Sequence, residues 1–275
     1  MINIFNYIDR PSPIHRLTGA TKLVCLLLWS LASMVTYDTR ILVLMPVAAL
    51  ILFGISKIRF RDVKTVFWLT FVFMVLNNVM VYVFAPEHGV SVYGTRTLLF
   101  TIAGRYTVTA EQLFYHLNLI LKYFAAIPLL LLFVCTTDPS EFAASLNRIG
   151  VSYKVAYSVA LALRYIPSIQ RAYEDISLSQ QARGIEMSKK ESLVKRLKAA
   201  SAILIPLILS SMDRIEVISN AMELRGFGKE KTRTWYRART FRAADIICMV
   251  LCALLLIAAI SDTLVRGTRY YNPFA

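Results

Sequence analysis

Long apolar runs constrain the fold of this chain more than any other feature of its sequence. They cover residues 23–36, 41–55, 66–85, 113–135 and 245–260. A helix that crosses a bilayer needs about 20 apolar residues, and flanking residues and local thinning of the bilayer can complete the shorter runs. With 57% hydrophobic residues, the chain also carries too little charge for a soluble domain. The sequence therefore predicts an all-α integral membrane protein with about five transmembrane helices, four within residues 1–135 and the last within residues 245–275.

A basic segment, residues 136–244, separates the fourth run from the fifth and carries most of the net charge of +14. The Asp-Pro-Ser-Glu motif at residues 138–141 has the cap, the proline and the acidic residue that open a helix. A second helix is expected from Ser152, and the Ser-Lys-Lys-Glu motif at residues 188–191 is a capping box for a third. The segment is therefore predicted to form an extramembrane domain of about three helices, inserted before the last span.

The second and third helices of this domain are predicted to close alike, at Arg183-Gly184 and at Arg225-Gly226. Cations suit the negative end of a helix dipole, and glycine is the usual residue for the left-handed turn that ends a helix. A single Arg-Gly end is ordinary. Two such ends in one segment indicate two binding sites for a soluble partner.

Both helices begin with an apolar half that surrounds a proline, residues 155–169 and residues 199–212. Each half is too short to span a bilayer comfortably. We expect these halves to press against the ends of the spans or against a partner, although two additional spans remain an alternative.

Lysine and arginine in the loops predict the orientation. The basic segments 1–22, 56–64 and 136–244 are placed in the cytoplasm, with Lys22 snorkelling at the membrane edge, and the C-terminus is placed outside. Residues 86–109 would form an outer loop with re-entrant or amphipathic structure. The basic, aromatic residues 229–242 suit anionic lipid headgroups, and this membrane context disfavours nucleic acid as their ligand.

Two asparagines, Asn77 and Asn78, lie near the middle of the third span. Their simplest role is an interhelical hydrogen bond within the bundle. The alternative is a contact with a transported substrate or with a substrate-binding partner.

Two other function classes make different demands on the sequence. A self-sufficient secondary transporter needs ionisable residues or broken helices near the middle of the bilayer, and we expect no Asp, Glu, Lys or Arg in the central parts of the spans. An intramembrane enzyme needs a motif such as His-Glu-x-x-His or Gly-x-Ser-x-Gly, and the chain contains neither. The phosphate-binding motif Gly-x-x-x-x-Gly-Lys-Ser/Thr is also missing from the sequence, so another chain would have to hydrolyse ATP.

An ordered set of short motifs resembles one transporter family. The motifs are His15-Arg16-Leu17, Thr21-Lys22-Leu23, Thr137-Asp138-Pro139-Ser140-Glu141-Phe142, Ala162-Leu163-Arg164-Tyr165-Ile166-Pro167, Gln180-Gln181-Ala182-Arg183-Gly184, Leu204-Ile205-Pro206-Leu207 and Ala221-Met222-Glu223-Leu224-Arg225-Gly226-Phe227. In this order they resemble the transmembrane T component of energy-coupling factor (ECF) vitamin and metal transporters, the family that includes the cobalt-transport Q proteins.

The resemblance implies partners and roles for particular residues. Ala182, Arg183 and Gly184, and likewise Leu224, Arg225 and Gly226, would bind grooves on two ABC-type ATPase subunits in a bacterial or archaeal cell membrane. The membrane portion would hold one substrate-binding S component, with Asn77 and Asn78 as possible contacts. The chain itself would be non-catalytic and need no cofactor, because its partners bind ATP. It departs from the family pattern at Leu224, where the signature has alanine.

Overall fold

The computed structural model describes residues 10–103, 106–185, 193–230, 234–235 and 239–274. The chain divides into two compact units. The bundle unit consists of Met1–Asp138 with Arg239–Ala275, and the insert unit consists of Pro139–Ala238. The elements in chain order are α1 (Pro13–Arg16), α2 (Gly19–Val35), α3 (Thr39–Ile55), α4 (Phe60–Phe84), α5 (His88–Tyr93), β1 (Leu98–Ala103), β2 (Tyr106–Thr109), α6 (Ala110–Thr136), α7 (Pro139–Arg148), α8 (Tyr153–Ala182), α9 (Leu193–Leu224) and α10 (Ala243–Arg266).

Three helices, α4, α6 and α10, are long and apolar enough to cross a membrane. The helices α2 and α3 are apolar but have only 17 residues each. Within the described residues, α8 and α9 do not meet the same criteria of length and composition. The prediction of an all-α membrane protein is confirmed apart from one short β-hairpin, and the count of five spans stays a prediction.

The helices are longer than the apolar runs because their first turns are polar. At the start of α6, Thr109 is the N-cap, and the backbone N–H of Gln112 donates to the Thr109 hydroxyl over 3.2 Å. Similarly, α2 begins at the N-cap Thr18, before the apolar run. At its other end, α10 continues past residue 260 to Gly267, whose φ of +66° ends the helix.

The core of the bundle unit lies where α2, α3, α6 and α10 meet. Its buried residues are Trp29, Ala32, Met45, Ala49, Ala125, Leu129 and Ala259. The indole Nε1 of Trp29 donates to the carbonyl oxygen of Ala125 over 2.9 Å, so the polar atom of this buried ring has a partner. The small alanines allow the helices to approach closely, which is the usual packing of membrane helices.

Buried polar groups join the helices at the end of the bundle that holds residues 10–22, 56–64 and 239–245, which we call the basic end. Asp245 is 1% exposed and accepts hydrogen bonds from the backbone N–H of Thr18, the hydroxyl of Thr21 and the backbone N–H of Arg242, each over 2.8 Å. The expectation that Lys22 snorkels is wrong. Lys22 is only 6% exposed, and its Nζ donates to the carbonyl oxygen of Thr136 at the end of α6 over 2.8 Å.

The opposite end of the bundle is closed by α5, the hairpin and the C-terminal tail. Residues 86–109, expected to be re-entrant or amphipathic, instead contain α5 and the antiparallel pair β1 and β2. Gly89 lets α5 approach α6, since a Cβ at this position would lie 2.6 Å from the Cα of Gln112. Hydrogen bonds that bind the tail to this end include those from Tyr37 N–H to the Arg269 carbonyl (2.9 Å) and from Asn272 Nδ2 to the Tyr93 carbonyl (3.0 Å).

The insert unit contains α7, α8 and α9. The predicted helix at residues 138–141 is confirmed by α7, which starts at Pro139. The helices α8 and α9 run antiparallel: the Phe227 ring, just after α9, packs on Tyr153 and Tyr157 in the first turns of α8, and Arg214 donates to the Ser168 hydroxyl near the middle of both helices. The proposed capping box at residues 188–191 lies outside the described residues. Within the basic link, Trp235 donates to Asn147 over 3.0 Å, while residues 231–233 and 236–238 are not described.

Candidate functional site

The C-terminal end of α8 is a Schellman motif. The N–H of Gly184 donates to the carbonyl oxygen of Gln181 over 2.9 Å, and the N–H of Ile185 donates to that of Gln180 over 3.1 Å. Gly184 has a φ of +85°, a left-handed conformation that glycine adopts without a steric cost. The turn satisfies two of the carbonyl groups that a helix end leaves without an intrahelical partner.

The end of α9 repeats this geometry bond for bond. Gly226 N–H donates to the Glu223 carbonyl over 2.8 Å, Phe227 N–H donates to the Met222 carbonyl over 2.9 Å, and the φ of Gly226 is +68°. Both positions favour glycine because of their left-handed backbone conformation, and not because neighbouring atoms leave no room for a Cβ. A Cβ at Gly184 would meet nothing within 4 Å, and one at Gly226 would be in ordinary contact with the Lys229 side chain at 3.6 Å.

The two signature arginines lie directly after the helices. We expected each arginine in the last helical turn, but α8 ends at Ala182 and α9 ends at Leu224, so this expectation is wrong by one residue. The left-handed turn begins immediately after Arg183 and Arg225, and this position leaves both guanidinium groups exposed at the negative end of a helix dipole.

The neighbours of these arginines are also exposed. Ala182 and Gly184 are exposed, and Leu224 has 89% of its surface accessible. A leucine so accessible at the tip of a helix, beside an arginine that can offer two parallel N–H donors, suits a groove with an apolar wall and a carboxylate.

An apolar stripe runs along one face of α9, mostly within the predicted apolar half. It consists of Leu204, Ile205, Ile208, Leu209, Met212 and Ile215, which are between 48% and 63% exposed. Two adjacent pairs and the following residues recur at intervals of three or four, which places them on the same side of the helix. This apolar stripe is a surface that a partner or lipid would cover.

The two candidate asparagines of α4 differ in their surroundings. Asn78 makes the interhelical contact that its simplest role requires, because its Oδ1 lies 3.0 Å from Nδ1 of His116 on α6. Its Nδ2 donates to the Met74 carbonyl of its own helix over 2.9 Å. Asn77 is half-buried, and a contact of either residue with a partner stays a prediction.

An ionisable residue that the sequence analysis passed over lies in the middle of α6. Lys122 is twelve residues from the helix start, so the expectation of charge-free span centres is wrong. Its Nζ lies 3.2 Å from the centroid of the Tyr37 ring and 3.5 Å from the Met34 carbonyl oxygen, contacts that compensate a cation at this depth. The lysine was visible within the run 113–135, but the run was treated as uninterrupted.

Comparison with known proteins assigns the family. The sequence model of the CbiQ family, described as cobalt transport protein, matches residues 10–236 of this chain. The chain belongs to the CbiQ family. The match includes both Arg-Gly helix ends, the apolar stripe of α9 and the core-forming parts of α2, α3 and α6.

Curated relatives of this CbiQ-family chain carry the name energy-coupling factor transporter transmembrane protein EcfT. The protein of Leuconostoc gelidum is 26% identical over 279 aligned residues, which cover 97% of this chain and 99% of the relative. The Listeria innocua protein is 27% identical, with coverage of 90% and 93%, and the Bacillus subtilis protein is 23% identical, with coverage of 94% and 96%. These matches and the apolar helices identify a multi-pass protein of the cell membrane.

Proposed function

We propose that this chain is the transmembrane coupling subunit (T component) of an ECF-type importer for vitamins or transition-metal ions. In this role it transmits the ATP-driven motion of two ATPase subunits to a substrate-binding S component and catalyses no reaction itself. The observation that carries the proposal is the pair of equivalent helix ends, each a Schellman motif with an exposed arginine directly before its glycine. Family membership and the relatives' names support it.

Each helix end is suited to one ATPase. The α9 end packs beside the first turns of α8, whereas the α8 end is about 45 Å further along a helix of 30 residues. Because the two ends are so far apart, one small groove cannot hold both. Two separate grooves, each with a carboxylate for a guanidinium, fit this spacing.

The antiparallel contact of α8 and α9 supports a mechanical role. Phe227 follows the α9 signature directly, and its ring centroid lies 5.6 Å from that of Tyr153 and 4.9 Å from that of Tyr157. A displacement of the α9 end is therefore passed to the start of α8. When ATP draws the two grooves together, this helix pair would tilt as one body.

We propose the apolar stripe of α9 as the main surface for the S component. A membrane protein partner offers apolar helices, and the stripe exposes several large aliphatic side chains in a segment, residues 204–212, that carries no charge. Asn77 on α4 is a second candidate contact.

The proposed orientation has the N-terminus and the insert unit in the cytoplasm and the C-terminus outside. It rests on the excess of Lys and Arg in residues 10–22, 56–64 and 136–244 over the other connecting segments. In this orientation the ATPases and the two helix ends share one compartment.

The proposal is tested with the double variant Arg183→Ala plus Arg225→Ala. We expect normal membrane insertion and loss of both ATPases from the complex purified on the tagged chain. Removing one partner of a buried charge pair at an interface costs about 2 kcal/mol or more, which is roughly thirty-fold in affinity at each end. Each single variant should lose about half of the ATPase.

Two control variants make the result specific. Arg171→Ala removes an exposed arginine from the middle of α8 and should leave the ATPase yield unchanged. Arg183→Lys plus Arg225→Lys keeps the charge but loses the planar fork, so binding should weaken by about tenfold. A normal ATPase yield from the double alanine variant would overturn the proposal.

A further inference from the structure

The bundle unit contains an apolar groove of about 480 Å³. Its floor is formed by one face of α2, including Cys25, Leu26 and Trp29, together with part of α6. One wall is α3 and the other is α10. The groove opens sideways, because the lining residues Leu44, Ile51 and Leu251 are about 60% exposed.

The groove is closed at one end and reaches the basic end at the other. The core cluster that includes Trp29, Met45 and Ala259, where α2, α3, α6 and α10 meet, closes it. From there the lining continues along α2 to Lys22 and Thr21 and on to Leu17 and Ile14 beside α1. Between Trp29 and Lys22 the axis of α2 rises by about 10 Å, so the groove lies within one leaflet of a bilayer.

The size and chemistry of the groove match a single hydrocarbon chain. The groove volume of about 480 Å³ is many times that of a methylene group, which is close to the roughly 30 Å³ of a water molecule, so one acyl chain fits. Polar lining atoms are scarce, and those of Lys22 and Thr21 are already bonded to Thr136 and Asp245. An ordered polar ligand would therefore find few partners inside the groove.

Positive charge surrounds the open end. Arg16 is exposed and lies in the chain between the lining residues Ile14 and Leu17. Lys57, also exposed, follows the end of the α3 wall. Two carboxylates of this end have partners other than Arg16: Asp245 accepts from three donors within the bundle, and Asp62 pairs with Arg10 over 2.9 Å.

We propose that the groove binds one acyl chain of an anionic phospholipid, with the lipid phosphate bound by Arg16. The apolar walls match the acyl chain of the lipid, and the exposed cations at one end of the groove match its anionic headgroup. In the orientation proposed above, this is a lipid of the cytoplasmic leaflet. Binding of the lipid does not depend on the identity of the ATPases or of the S component.

The test uses the full-length chain, with its co-purifying subunits, in nanodiscs of phosphatidylcholine and phosphatidylglycerol. The lipid that remains bound after extraction into detergent is counted by native mass spectrometry. We expect the unmodified protein to retain one phosphatidylglycerol. Ala48→Phe, which places a ring in the groove from the α3 wall, should abolish retention.

Arg16→Gln tests the headgroup separately and alters only an exposed residue. One basic residue near a membrane surface changes lipid binding by about five-fold, so retention should fall by this factor and the preference for phosphatidylglycerol over phosphatidylcholine should disappear. The matched control is Leu50→Phe, on the same helix but outside the groove and 54% exposed, which should retain the lipid normally.

Two outcomes would overturn the inference. Unchanged phosphatidylglycerol retention in Ala48→Phe would show that any bound lipid lies elsewhere. If Ala48→Phe instead reduces the yield of a co-purifying small membrane protein and leaves lipid retention unchanged, a protein helix occupies the groove.

Discussion

The glycines at the two helix ends act through the backbone alone. Their neighbours leave room for a Cβ, so substitution tests the left-handed conformation and not the packing within the chain. For a residue with a Cβ this conformation costs about 1–2 kcal/mol.

We therefore predict that Gly226→Ala lowers the stability of the purified protein by about 1 kcal/mol, measured as a lower midpoint of thermal unfolding. The control is Gly54→Ala, because Gly54 lies within α3 and an added Cβ there also meets nothing within 4 Å. Alanine is favoured over glycine in a helix by roughly 0.5–1 kcal/mol, so the control should raise the midpoint. A rise in both variants would contradict the assigned turn.

At the scale of the secondary-structure element, the helix ends show what the sequence could predict and what it could not. Local signals located the start of α7 and both Arg-Gly ends, because caps depend on a few adjacent residues. The first turns of α2 and α10 were missed because Lys22 and Asp245 look like the polar edges of apolar runs. Only their partners from distant parts of the chain, Thr136 and Thr18, bury them.

The β-hairpin was missed for a different reason. Residues 98–103 and 106–109 are rich in aliphatic, aromatic and β-branched side chains and are separated by two residues, one of them glycine, which is a hairpin signal. The segment was interpreted as an outer loop with re-entrant or amphipathic structure instead. Asn78 was assigned its interhelical role from the sequence, but its partner His116 could not be named without the packing of α4 on α6.

The packing of α2 against α10 depends on Asp245, and two substitutions separate its roles. In Asp245→Asn the retained oxygen can still accept from Thr18 and Thr21, but the amide faces the Arg242 N–H, so we expect a loss of about 1 kcal/mol, typical of a missing N-cap bond. Asp245→Ala also leaves the Thr18 N–H without its partner, and each such buried donor costs about 1–3 kcal/mol.

These losses are measured as shifts of the thermal unfolding midpoint in detergent. Asp262→Ala is the control, because this half-buried carboxylate of the same helix binds Arg266 one turn away and makes no contact with α2 among the contacts described. Such a pair contributes about 0.5 kcal/mol or less. Equal shifts for Asp245→Asn and Asp245→Ala would mean that the contact with α2 contributes nothing.

At the scale of the whole molecule, the proposed role assigns binding of the ATPases and transmission of their motion to different residues. The arginines and glycines at the ends of α8 and α9 would bind the ATPases. The aromatic contact of Phe227 with Tyr153 and Tyr157 joins the α9 end to the start of α8. Loss of this contact should leave binding of the ATPases intact but allow the α9 end to move without displacing α8.

We predict that Phe227→Ala retains both ATPases and their ATP hydrolysis, whereas substrate uptake by the reconstituted transporter falls several-fold. The matched control is Ile185→Ala, which truncates the residue at the equivalent position of the α8 end, where its N–H closes the same turn. A side chain at Ile185 has no aromatic contact among those described, so uptake should change little. If the ATPase yield falls together with uptake in Phe227→Ala, Phe227 itself contributes to ATPase binding. Binding and transmission of motion are then not separable at this helix end.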